Sequence, residues 1–164
     1  MTILLIIFFV TVVIFMVTGI SGAPWVPARA FDIDKILDDT KLHKYDVFYE
    51  LGCGDGRLVK AAAMRGAIAI GYELNPFLWL ISWLRCRGVS GATIRFGNFW
   101  NINLGKADVV MAFLVPRTMP RLDKKASKEL KSGARLVSYV FPILGRQSLA
   151  SSGSWFIYKY PKSS

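Results

Sequence analysis

At 164 residues the chain is long enough for one domain and an appendage, and too short for two full domains. Its two cysteines, Cys53 and Cys86, make neither a disulfide framework nor a metal-ligand spacing, which excludes a stapled secreted scaffold and a cysteine metal site. The net charge of +10 is lopsided: residues 1–56 hold 4 basic and 7 acidic side chains, residues 57–164 hold 17 and 4, and so basic a second part calls for an anionic neighbour.

From Ile3 to Ile20 the sequence reads ILLIIFFVTVVIFMVTGI, 18 positions without a charge. As a helix this run is roughly 27 Å long, close to a hydrocarbon core of about 30 Å, and it is apolar on every side rather than amphipathic. A cleaved signal peptide would carry a positive leader and a shorter apolar run, although Ser21, Gly22 and Ala23 could form a cleavage site. Residues 1–22 are therefore expected to be a retained single-pass transmembrane anchor. The cations that follow, Arg29, Lys35, Lys41 and Lys44, put the domain on the cytoplasmic side, although Asp32, Asp34, Asp38 and Asp39 stand among them.

Residues 23–45 read as a linker and a pre-domain helix. Pro24 and Pro27 disfavour helix in "APWVPARA", and 31–43 place Phe31, Ile33, Ile36, Leu37 and Leu42 among acids in an amphipathic pattern. From residue 46 to 164 strands and helices alternate. Strands are predicted over 46–51, 67–73, 92–96, 108–115, 134–141 and 154–160. Helices are predicted over 57–65, stopped by Gly66, over 76–87, with Pro76 in its first turn, and over 119–131, ended by Gly133. This order predicts an α/β fold: a Rossmann-like, doubly wound, mostly parallel sheet of six or seven strands.

The first strand runs into "ELGCGDGR" (50–57). In such a sheet ligands sit at the carboxyl ends of the strands, and the loop after the first strand is the natural contact. No triphosphate loop is present. The dinucleotide fingerprint G-x-G-x-x-G starts with Gly52 and Gly54 but has Arg57 at the third position, the glycine falling one early at Gly56. An acid at Glu50 would face the charge of a pyrophosphate. It would welcome the ammonium and sulfonium of S-adenosylmethionine, and Glu73, at the end of the second strand, is placed to take both ribose hydroxyls.

The series "DVFYELGCGDGR … GYELNP … RFGNFW … ADVVMAF" resembles the motifs of class I, seven-β-strand methyltransferases. More narrowly, "PWVP", "ELGCGDGR", "GYELNP", "GNFW" and "FLVPRTMPRL" are similar to the membrane-associated protein-lysine methyltransferases of the ATP synthase c-subunit and adenine nucleotide translocase kind. The likeness runs from about Pro24 to Pro142; the tail beyond looks too short for a last helix and two strands. The resemblance implies S-adenosylmethionine as cofactor. Glu50, Gly52, Cys53, Gly54, Asp55 and Gly56 would line its methionine end. Glu73 would take the ribose, Leu74, Asn98 and Phe99 the adenine, and Trp25 to Pro27 would fold over it. Phe113 to Pro116 would wall the acceptor pocket. Many class I enzymes have Asp where Asn98 stands.

The implied activity is methylation of a lysine in a membrane protein. Free lysine titrates near 10.4, so presenting a neutral amine at pH 7 costs roughly 4–5 kcal/mol, which burial of the amine reduces; no dedicated general base is evident in the sequence. Rival readings are a lipid or other small membrane-soluble acceptor, a non-catalytic cofactor-binding membrane module, and a dinucleotide oxidoreductase. The basic helix 119–131, with Arg121, Lys124, Lys125, Lys128 and Lys131, could be a plain solvated face or could dock on anionic headgroups. No metal is expected. Nucleic acid is not expected either, because no aromatics interleave a basic strand surface. Cys53 reads as a small filler of the loop, Trp79 and Trp83 as helix packing, and the pair Phe99–Trp100 is open between core and cofactor pocket.

Overall fold

The computed structural model describes residues 4–5 and 30–160. Apart from Leu4 and Leu5 the expected anchor lies outside the described residues, as do Trp25 and Pro27. Among the described residues no helix is long and apolar enough to cross a membrane.

The elements follow the predicted alternation: α1 (Ala30–Asp39), β1 (Val47–Leu51), α2 (Arg57–Met64), β2 (Ile68–Glu73), α3 (Pro76–Cys86), β3 (Ala92–Phe96), β4 (Val109–Ala112), α4 (Met119–Glu129), β5 (Arg135–Tyr139), β6 (Ala150–Ser151) and β7 (Trp155–Lys159). They build one seven-stranded sheet in the order β3-β2-β1-β4-β5-β7-β6. The first five strands pair in parallel, while β7 runs antiparallel to both β5 and β6. The strand order reverses between β2-β1 and β1-β4, the switch point at which such sheets open a crevice.

Strand side chains alternate between two apolar layers, as a sheet covered on both faces requires. Phe48, Val109, Met111, Val137 and Ile157 join α1 and α2 through Ile36, Leu37, Leu58 and Val59. Tyr49, Leu51, Val110, Leu136 and Tyr158 join α4 through Met119, Leu122 and Ala126. Hence α1 and α2 cover one face and α4 the other; α3 packs beside α2, over β2 and β3.

Two expectations about the elements change, and the tail settles the sheet at seven strands without a last helix. The predicted helix 31–43 stops at Asp39, because Lys41 adopts a left-handed backbone (φ 51°) and Arg135 donates to the carbonyls of Thr40 and Lys41. The strand expected over 108–115 keeps only Val109–Ala112; Asp108 instead accepts the Val47 amide at 2.9 Å, and Pro116 opens a single turn of 3₁₀ helix. The tail is long enough for both last strands. The chain dispenses with the intervening helix, and residues 140–149 run as turns and irregular chain.

Long-range polar contacts hold α1 on this frame. The Tyr139 hydroxyl donates to the buried Asp32 carboxylate at 2.6 Å, and the Trp155 indole donates to Asp39 at 3.0 Å. Arg65 pairs with Asp34 and Asp38 at 2.9 and 2.6 Å. The four acids that stand among the cations Arg29, Lys35, Lys41 and Lys44 therefore have structural partners. Tyr139→Phe leaves Asp32 short of its donor and is expected to cost about 1.5–3 kcal/mol, read as a lower urea midpoint with an unchanged m value.

Candidate functional site

The loop after β1 is shaped by close approach. Gly52, Gly54 and Gly56 have φ of 80°, 54° and 76°, which favour glycine. A Cβ on Gly56 would lie 2.8 Å from the Ser82 Cβ, so this glycine lets α2 start against α3. At Gly52 a Cβ would meet nothing within 4 Å: the space beside that residue is open. Cys53 lies over Gly71, where any side chain would collide with the Cys53 Cβ and Sγ at 2.8 Å. Burial, and then the Glu50 and Glu73 carboxylates, push the Cys53 thiol well above its ordinary range, so it fills space and is a poor nucleophile.

The loop's amides turn inward. Those of Gly52 and Cys53 both donate to the Tyr72 carbonyl at 2.9 Å, and that of Gly54 donates to Glu73 at 2.8 Å. The Gly56 amide donates to the Cys53 carbonyl at 2.8 Å. A phosphate-binding loop would aim such groups at its ligand. This loop uses three of them on the end of β2 and one on itself, which is a second ground, beside Arg57 and Glu50, for rejecting a dinucleotide.

Three carboxylates surround the turn, each in a different state. Asp55 is clamped by Arg57, whose Nε donates at 3.0 Å to both oxygens and whose Nη2 donates at 2.7 Å, and by Arg85 at 3.1 Å. Burial pushes this carboxyl up, but the two guanidiniums hold it below its ordinary value. Glu73 accepts from the amides of Leu74 and Asn75 on Oε1, at 2.9 and 2.8 Å, and from that of Gly54 on Oε2. Three of its roughly four acceptor positions are thus filled by main chain, so the expected grip on both ribose hydroxyls meets a carboxylate with one position left. Burial still keeps the Glu73 carboxyl raised.

Glu50 is the exception. It sits on β1 beside Gly71 of β2 and Met111 of β4, at the switch point. The residue as a whole is half-buried, yet its Oε2 is buried and has no hydrogen-bond partner. Burial, then the charge of Asp55, pushes its carboxyl well above the usual carboxylate range. The Val59 amide supports the carboxyl, but a buried carboxylate oxygen without a partner still costs free energy unless a cation or donor arrives. An ammonium-bearing ligand beside the open face of Gly52 fits what the chain leaves unsatisfied.

The remaining expected residues spread around this crevice. Leu74 follows Glu73 and is half-buried. Asn98 turns its Oδ1 to the Trp100 amide at 3.0 Å, capping a short turn of helix. Phe99 is buried in the α4-side layer and tilts against Trp100 at 4.8 Å. Phe113 stacks edge-on against Tyr139 at 5.1 Å, and Pro116 is exposed. The predicted basic helix 119–131 is α4 and the two residues after it, and three of its cations are already engaged. Lys125 pairs with Glu129 at 2.8 Å, Lys131 with Asp108 at 2.6 Å, and Arg121 lies 4.1 Å over the Trp100 ring.

Two features of the site go beyond the sequence expectations: the cap on α3 and the second arginine on Asp55. Asn75 Oδ1 accepts the amides of Phe77 and Leu78 at 3.0 and 3.3 Å, for which the pair Asn75–Pro76 is a local signal. Arg85 lies 30 positions from Asp55, and no local pattern announces it. A cavity of about 380 Å³ lined by Tyr49, Tyr72, Arg95, Ile102, Asn103 and Lys106 includes none of the expected site residues.

A family model described as the ANTKMT methyltransferase domain matches residues 50–150. The chain is 38% identical over 124 residues to the ATP synthase c-subunit lysine N-methyltransferase of Mus musculus, covering 73% of this chain and 49% of that protein. It is 36% identical over 131 residues to a protein-lysine N-methyltransferase of Saccharolobus islandicus (strain REY15A), covering 77% of this chain and 81% of the relative. The structure of an RNA methyltransferase from Salinibacter ruber in complex with S-adenosyl-L-homocysteine matches with a TM-score of 0.80 and 25% identity, over 84% of this chain and 95% of that one. The chain thus spans about half the length of the mouse relative.

The state of Glu50 predicts a pH dependence for the protein without ligand. Its folded carboxyl holds a proton that the unfolded chain has already released, so wild-type stability falls as pH rises from the ordinary carboxylate range through the raised Glu50 value. Glu50→Gln removes that loss. Thermal unfolding across this window should show the variant gaining on wild type as pH increases, whereas parallel curves would refute the assignment.

Proposed function

The chain belongs to the ANTKMT methyltransferase domain family and has the class I fold that uses S-adenosylmethionine, and we propose that it methylates the ε-amine of a lysine in a membrane protein. One observation carries the cofactor site: the buried Glu50 Oε2, without a partner, beside a loop whose amides are used internally. The acceptor class is supported by the relatives, an ATP synthase c-subunit lysine methyltransferase and a protein-lysine methyltransferase.

In this reading Glu50 would hold the cofactor's ammonium, with Gly52, Gly54 and Gly56 giving the backbone its close approach. Cys53 and Asp55 act as framework: one packs on Gly71, the other ties the loop to α2 and α3 through Arg57 and Arg85. Glu73 would take the ribose with its remaining acceptor position. Leu74, Asn98 and Phe99 would border the adenine, Trp25 and Pro27 would close over it, and Phe113 and Pro116 would wall the acceptor's entry. When bound, the cofactor supplies an electrophilic methyl group on a sulfonium. The chain's own task is alignment, exclusion of water and a site in which the amine loses its proton cheaply.

The 18 uncharged residues 3–20 support a membrane tether, and the cations Arg29, Lys35, Lys41 and Lys44 after them support a domain on the cytoplasmic side. A tethered enzyme meets membrane substrates at high effective concentration. Residues 1–22 are the anchor in this reading, 23–45 the linker and first helix, and 46–164 the methyltransferase domain.

The acceptor is tested by incubating membranes from a strain lacking the protein with the purified full chain and methyl-labelled cofactor. Label on a protein lysine is the expected result; label in lipid or in RNA would replace the acceptor class. Glu50→Gln should weaken binding of S-adenosylhomocysteine about ten- to a hundredfold, the usual scale for a charge-assisted hydrogen bond, as read by calorimetry.

A further inference from the structure

The outer face of α3 is apolar. Helix packing buries a narrow stripe, Leu78, Ser82 and Cys86 at i, i+4 and i+8. Phe77, Leu80, Ile81, Trp83 and Leu84 are left 42, 46, 46, 42 and 55% exposed, and Phe96 of the edge strand β3 is exposed beside them, its ring 5.9 Å from Trp79. Phe77, Leu80, Ile81 and Leu84 follow the i, i+3, i+4, i+7 rule of a helix built to bury a face. A contiguous apolar patch of this kind on a folded domain marks an interaction surface.

We propose that this face of α3 lies in the interfacial layer of a lipid bilayer, a reading that rests on residues 3–20 being membrane-inserted. The chain's own dimensions choose this occupant. Nine residues, 21–29, separate the uncharged run from the start of α1, and fully extended they reach about 30 Å. Helix α1 touches α2 and α2 touches α3, all on one face of the sheet. At about 8–10 Å per helix–helix step, α3 lies within that reach of the membrane surface. Trp83, with the Arg87 guanidinium 5.7 Å from its ring centre, supplies the aromatic and cation that favour the headgroup level. The cations of α4 lie on the opposite face of the sheet, so one flat bilayer cannot meet both, and the docking expected of the basic helix passes to α3.

The full chain is reconstituted in phosphatidylcholine–phosphatidylglycerol vesicles, with a fluorophore on Ile81→Cys or, as control, on Lys124→Cys; the native Cys53 and Cys86 are buried. The label at 81 is expected to be quenched by nitroxide-bearing lipid and shielded several-fold from aqueous iodide, and the label at 124 to behave in the opposite way. Equal iodide quenching at both positions overturns the proposal. Shielding at 81 without lipid quenching also overturns it, because the patch is then covered by residues 3–20 or a second copy. Carbonate extraction of the same vesicles reads the anchor separately: a chain that washes off loses the anchor reading whatever the label reports.

Discussion

A carboxylate placed inside a two-sided sheet must be balanced by a cation, by donors or by a proton, and the neighbourhood of the first glycine loop follows from how this chain meets that demand three times. Asp55 has two arginines, and Glu73 has three main-chain amides. Glu50 Oε2 has nothing. The first two solutions fix the loop: Asp55 ties it to α2 and α3, and Glu73 staples it to the end of β2. The third, helped only by the Val59 amide, leaves one buried carboxylate oxygen unsatisfied at the point where the strand order reverses. A site prepared in this way favours a ligand that brings a positive charge and is hostile to a pyrophosphate.

The same charges give the molecule two different faces. Most acids in the N-terminal part are used internally, Asp32 and Asp39 by Tyr139 and Trp155, Asp34 and Asp38 by Arg65. On the other side of the sheet the basic excess surrounds α4, where Lys125, Lys131 and Arg121 brace the segment between β3 and β4. The net charge of the chain is therefore a poor guide to which face meets a membrane. The apolar side chains that α3 leaves outside are a better one.

Much of this could be read in the residues. Strands of consecutive apolar side chains, glycines at loop positions and an acid closing β2 are local signals, and they carry the α/β order and the loop's place. Local patterns fail where distant residues decide. The end of α1 depends on Arg135, about 95 positions away, which captures the carbonyls after Asp39. The clamp on Asp55 needs Arg85, and the seventh strand exists because Ala150–Ser151 finds Phe156–Ile157. Helix α3 is the instructive case: Trp83 reads as helix packing in the sequence, and only the fold shows it on the outward, 42% exposed side.

The central claim, that the partnerless Glu50 oxygen receives the cation of the ligand, is tested most directly by calorimetric titration of S-adenosylhomocysteine in two buffers of different ionisation enthalpy. Wild type is predicted to release a proton on binding, so that the observed heats differ between buffers, and Glu50→Gln to release none. Equal heats in both buffers for wild type, or an undiminished release in the variant, would contradict it.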